Sequence, residues 1–233
     1  MRIAVAQHAS PKGEASIVVP VVRGALERGA DLVICPAATA SSVDELSAEL
    51  DRVVGESAAV YILPVSEDAP HGSLSVIESG GMAGHVGRIA VLVGDACFDR
   101  EAWERARAAQ VAAAILCPLS ESDLQAEAAL EIAIALSDSL CGLIVVAEAV
   151  GAEIGDPGHG GSAIIVLGAV VAEGFAEADV VLAELSGPVA GPEPPEPLPQ
   201  LPTLIAQRVA HHRGERLKVE WPADLSEGGG VAR

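Results

Sequence analysis

GADLVICPAATAS, residues Gly29–Ser41, returns later in the chain as QVAAAILCPLSES, residues Gln110–Ser122. Each stretch passes from a helix end through a short apolar run to Cys-Pro, then enters a Ser-rich helix start. An apolar run of this length without alternation reads as a strand buried on both faces. A strand of that kind needs covering layers, and helices flank both copies, so the fold class is α/β. The echo predicts two similar αβ units on neighbouring central strands. It would bring Cys35 and Cys117 to one sheet edge, where the binding sites of such sheets gather.

The same pattern extends outward in both directions. RIAVA from Arg2 reads as a first strand. Glu14 to Arg28 reads as a helix, stopped by Gly29 and disturbed by Pro20. Ser42 is expected to cap a helix through Val53, with Asp44 and Glu45 in its first turn. AAVYIL, SLSVIE and RIAVLV read as strands. Asp99 to Val111 reads as a helix with Glu101 and Arg105 paired at i,i+4. Asp123 is expected to cap a long helix to about Ser137. LIVVAEA, SAIIVL, AVVAEG and DVVLAEL come next as strands, and the last three are expected to form antiparallel hairpins. This organisation gives a main domain over 1–186, a Pro-rich linker over 187–202 and a C-terminal tail over 203–233. The linker, GPVAGPEPPEPLPQLP, should be extended.

Composition narrows the function classes. Of 233 residues, 50% are hydrophobic but only 2% are aromatic, so a base-stacking surface is not expected. The formal net charge of -19 repels phosphate backbones and anionic lipids, which argues against nucleic-acid and membrane partners. No apolar run approaches the length of a membrane span, and MRIAVAQHAS is too short and too soon polar for a signal peptide. Cys35, Cys97, Cys117 and Cys141 lack metal-type spacing and read as reduced thiols of a cytoplasmic protein. No metal or other cofactor is expected.

DACFDREAWERAR, from Asp95, places a cysteine between the apolar strand RIAVLV and a helix. That is a common position for a nucleophile, which also needs a base, a charge stabiliser and exposure. Asp99 is expected to be the N-cap of the helix after it. GHGGS at Gly158–Ser162 lacks the GxSxG elbow, and GDPGHGG is not followed by the Lys-Ser/Thr of a phosphate loop. Glu148, after LIVVA, could approach the sheet edge as a substitute base.

Taken together these segments resemble the carbon–nitrogen hydrolase family, the nitrilase superfamily, over about residues 1–186. MRIAVAQ is similar to its first strand, GADLVICPA to its second-strand motif and CFDREAWERAR to its nucleophile motif. LIVVAEAVG and GHGGSAIIVLGAVVAEG are similar to its late strand pair. The resemblance implies a four-layer α-β-β-α sandwich, usually dimeric, with a Glu, Lys and Cys catalytic set. In that set Glu is the general base, Lys stabilises the oxyanion and the Cys thiolate attacks an amide or nitrile carbon.

The departures bear on each of those groups. Ala37 follows Pro36 where the family has its Glu, and a methyl accepts no proton. The chain's two lysines, Lys12 and Lys218, lie outside the middle segment where the family carries its Lys; Arg88 is the cation there. Two alignments of the nucleophile are open. Counting through the strand from Gly87 puts Gly94 in its place, whereas matching Cys-Phe-Asp puts Cys97 there.

Cys97 is therefore the candidate catalytic residue, with Ala37, Gly94, Asp95, Pro118 and Glu148 as candidates for a pocket edge. The leading expectation is a member without hydrolase activity that binds a small ligand or serves in assembly. The alternatives are an amide or nitrile hydrolase using Cys97 with a rearranged base, and an unrelated α/β ligand-binding domain. A homodimer is expected, with the Ala-rich helix around Trp103 in its interface and the tail packing on the partner.

Overall fold

A computed structural model describes residues 1–9, 14–54, 58–65, 73–78, 87–151, 159–175 and 177–186. The Pro-rich linker, the tail, both lysines and most of the segment between SLSVIE and Gly87 lie outside them. The elements run β1 (Arg2–Gln7), α1 (Ala15–Glu27), β2 (Leu32–Thr39), α2 (Ala40–Leu50), β3 (Ala59–Val65), β4 (Ser73–Glu78) and β5 (Arg88–Val93). A 3-10 turn (Gly94–Phe98) leads into α3 (Arg100–Ala108), β6 (Ala113–Cys117) and α4 (Asp123–Leu136). A π turn (Ser137–Cys141) precedes β7 (Leu143–Val146), β8 (Ala163–Val166), β9 (Ala169–Glu173) and β10 (Asp179–Glu184).

The strands form two sheets, ordered β10-β1-β2-β3 and β4-β5-β6-β7-β8-β9. Side-chain alternation shows how they stack. Ile3, Val5, Leu32 and Ile34 of the first sheet pack with Ile89, Val91, Ile115 and Val145 of the second in one inter-sheet core. The alternate residues Ala4, Ala6, Val33 and Cys35 meet Val18 and Val22 of α1 and Leu46 and Leu50 of α2. On the far side Leu92, Leu116 and Ile144 meet Trp103 of α3 and Ile132 and Leu136 of α4. Both faces of every central strand are thus covered, which is why these strands read as unbroken apolar runs. The result is a four-layer α-β-β-α sandwich.

The two echoed units do not share a sheet. β2 lies in the four-stranded sheet and β6 in the six-stranded one. Side chains alternate with period two, and the Cys-Pro alignment offsets the two strands by one face. Cys35 therefore packs under α1 and α2, while Cys117 points into the inter-sheet core. The expectation of neighbouring strands is corrected, though the two strands do end at one end of the domain. Gln7, at the C-terminal end of β1, accepts a hydrogen bond through Oε1 from the Ser162 N–H, 2.8 Å away. Ser162 precedes β8, which is antiparallel to β7 and so starts where β7 ends. β2 is parallel to β1, and β5 and β6 run parallel to β7, so all these strands finish together.

Other expectations are refined. β8 and β9 do form an antiparallel hairpin, but β10 crosses to the other sheet and pairs antiparallel with β1, from Arg2↔Glu184 to Gln7↔Asp179. α2 begins at Ala40 rather than after Ser42. The cap of α4 is Ser122, whose Oγ accepts from the Gln125 N–H; Asp123 is the first helical residue. On α3 the ion pairs join Glu104 to Arg107 (2.8 Å) and to Arg100 (3.8 Å), instead of Glu101 to Arg105. Trp103 is 1% exposed and belongs to its own chain's core, so it does not present itself to a partner subunit.

Candidate functional site

The common C-terminal end of the strands collects the chemistry-bearing residues. At the end of β5 the chain turns at Gly94, whose φ of 60° lies in the left-handed region that favours glycine. The 3-10 turn then carries Asp95 and Cys97. Asp99 ends it as the N-cap of α3, its carboxylate accepting from the N–H groups of Glu101 (3.0 Å) and Ala102 (3.2 Å). The turn rotates Cys97 away from the strand end. Its side chain is fully buried, and its thiol donates to the Leu92 carbonyl at 3.3 Å. The Cys97 carbonyl in turn accepts from the indole Nε1–H of Trp103 at 2.9 Å. Burial pushes the thiol well above its ordinary pKa, and the neighbouring Cys117, Glu148 and Asp95 push the same way. Cys35, buried under the helices, is pushed up to about 12.

Glu148 is the most constrained acid in the fold. It follows β7 and is 1% exposed. Its Oε1 accepts from the Ser120 N–H (2.8 Å) and its Oε2 from the His159 N–H (3.3 Å). Its own backbone exchanges two bonds with the Ser162 hydroxyl, each 3.0 Å. Burial raises the carboxyl's pKa, against the lowering pull of those donors and of the nearby His159. His159 Nδ1 lies 2.8 Å from Asp123 Oδ1. The network continues into the other sheet through Gln7, whose amide donates to the carbonyls of Phe175 and of Glu177 (2.6 Å). Gly174 makes room for it: a Cβ there would stand 2.6 Å from Val181 Cγ2 and 3.0 Å from Gln7 Oε1. One buried polar chain therefore ties β1, the β6–α4 loop, the residue after β7 and the start of β8.

The structure thus brings Gly94, Asp95, Cys97, Pro118 and Glu148 to one end of the six-stranded sheet. Ala37 lies on β2 where the β2–β3 register shifts between Cys35 and Ala38. Arg88 is not with them. It begins β5 and donates to the Ala109 carbonyl at 3.0 Å. That places it about 20 Å along the strand from Gly94. The Cys35, Cys117 and His159 combination does not converge, because the two thiols face different layers. Among the described residues no group of three metal-ligating side chains assembles, and no helix is long and apolar enough to cross a membrane. Gln7, Ser120 and Ser162 were missed in the sequence. Their signal was a polar residue directly beside a fully apolar strand.

No family model matches the chain, and no curated protein matches it in sequence. Solved structures do match. The chain is similar to an amidase from Nesterenkonia sp. AN1 showing Michael addition of acrylamide at the active-site cysteine. The identity is 16%, with 92% of this chain and 99% of that chain covered and a TM-score of 0.56. A variant of the same amidase in complex with butyramide is similar at 16% identity, covering 92% and 96%, with a TM-score of 0.57. Another variant, described as an amidase from the nitrilase superfamily, gives 16%, 92% and 97%, and 0.55. Together with the two face-packed sheets and their outer helices, these matches establish that the chain has the fold of the nitrilase-superfamily amidases.

Proposed function

We propose that this chain is a nitrilase-fold protein that does not hydrolyse carbon–nitrogen bonds and works instead as a homodimeric small-ligand-binding or assembly module. One observation carries the reading: the residue at the turn ending β5 is Gly94, and the nearest thiol, Cys97, is directed into the core and bonded to Leu92. A buried neutral thiol is a poor nucleophile, because the thiolate is the attacking species. Ala37 offers no base, and neither lysine lies in the segment just before β5. Removing a single donor to a developing oxyanion already costs on the order of 10²–10³ in rate.

The test combines turnover with thiol chemistry. Purified protein is expected to release no ammonia above background from simple amides, nitriles or N-carbamoyl compounds. Native Cys97 is expected to resist a thiol-reactive disulfide reagent and to react only on unfolding. Turnover abolished by Cys97→Ser would overturn the proposal and favour the hydrolase. Light scattering at moderate salt should return a dimer mass; a monomer would remove the assembly part of the reading.

A further inference from the structure

At the opposite end of the domain, Arg23, Leu26 and Glu27 of α1 and Arg52 and Val53 after α2 line an open groove of about 470 Å³. Leu26 and Val53 make part of its lining apolar. Glu27 shares the groove, and Arg52 is already paired with Glu49. Among the described residues this leaves one lining guanidinium, that of Arg23, without an ion-pair partner. The described part of the chain ends beside this groove. Leu185 donates to the Met1 carbonyl at 2.8 Å, and Arg2, the next residue, reaches the Arg28 carbonyl just past α1 (3.4 Å). β10 thus delivers the chain at Ser186 to the end of the domain where α1 also finishes.

Beyond Ser186 the sequence continues as Gly187-Pro-Val-Ala-Gly191, then Pro192-Glu-Pro-Pro-Glu-Pro197. Pro-Glu-Pro repeated at a spacing of three matches the three-residue turn of a polyproline II helix. Glu193 and Glu196 would share one side of that helix, about 9 Å apart, with proline rings filling the others. The six steps from Ser186 to Pro192 span up to about 19 Å when extended, enough to reach α1's last turns.

We propose that residues 192–197 of the same chain dock in this groove, with prolines against Leu26 and Val53 and a carboxylate of Glu193 or Glu196 on Arg23. An exposed ion pair alone is worth little, so the short tether supplies the rest by raising the local concentration of the segment. The experiment uses the full chain and an arginine-selective dicarbonyl reagent, with the modification rate of each arginine read by peptide mass spectrometry. Glu193→Gln/Glu196→Gln, which alters nothing in the folded layers, is expected to speed modification of Arg23 by about fivefold, the shift one exposed ion pair supports. Arg100, exposed on α3, should react unchanged and serves as the internal reference. Equal Arg23 rates in the two proteins overturn the proposal, as does a parallel rise at Arg100. Protection of Arg23 that disappears on dilution would assign the groove to a second copy's segment and overturn docking within one chain.

Discussion

Trp103→Ala is expected to lower the unfolding free energy by about 3–5 kcal/mol, the range for removing a fully buried tryptophan. Two terms add. The indole leaves a cavity among Leu92, Leu116, Ile132 and Leu136, between the six-stranded sheet and its helices. It also takes away the donor that holds the Cys97 carbonyl at 2.9 Å, leaving a buried acceptor without its bond. Urea unfolding followed by circular dichroism measures the loss. Trp103→Phe should recover most of the packing while leaving that carbonyl unpaired, so it should fall between the two. A change below about 1 kcal/mol in the alanine variant would mean that the indole is not a core anchor.

The second large effect belongs to Glu148. Its carboxylate is the acceptor for two backbone N–H groups, of Ser120 and His159. Glu148→Ala strands both, and at about 1–3 kcal/mol for each unsatisfied buried group the expected cost is about 2–5 kcal/mol. The pH dependence is more diagnostic. The folded-state pKa is raised above the ordinary 4.5, chiefly by burial, so the folded protein holds this proton more tightly than the unfolded chain does. The stability linked to that proton is complete below the unfolded pKa and is lost as pH rises through the folded one. The unfolding free energy of the natural protein, minus that of Glu148→Gln, should therefore fall as pH climbs from about 4.5. The slope should not exceed about 1.4 kcal/mol per pH unit, and the difference should level off above the folded pKa. A difference that is flat, or that grows with pH, would show that burial does not dominate the carboxyl.

How much could be read from the chain alone depends on the range of the interactions involved. Every strand of the main domain announced itself as an apolar run, and Asp99 as a cap, because those signals are local. The partition into two sheets was not local. ADLVIC and AAAILC look alike, yet a one-residue offset in facing sends Cys35 to one layer and Cys117 to another. The Ala-rich face of α3 suited a subunit interface as well as a core, and only the packing of Leu116 and Leu136 around Trp103 decides it. At the candidate site, Cys97 and Glu148 were visible as residue types. That the thiol turns inward depends on the 3-10 turn after Gly94. That Glu148 is anchored depends on Ser162, which reaches Gln7 across 155 positions of sequence.

The pairing of β1 with β10 also bears on how the protein is made. Arg2 meets Glu184 and Gln7 meets Asp179, so the earliest of these strands to leave the ribosome waits for the latest. Until residue 184 emerges, β1 stays an open edge of its sheet, and the half-built sandwich exposes the apolar groups that Val181 and Ala183 will cover. Closure by so distant a contact makes folding slow relative to local helix formation. The segment beyond Ser186 then does the growing chain a service before any other role. It holds β10 outside the exit tunnel while the nascent protein is still attached, so the sheet can close before release.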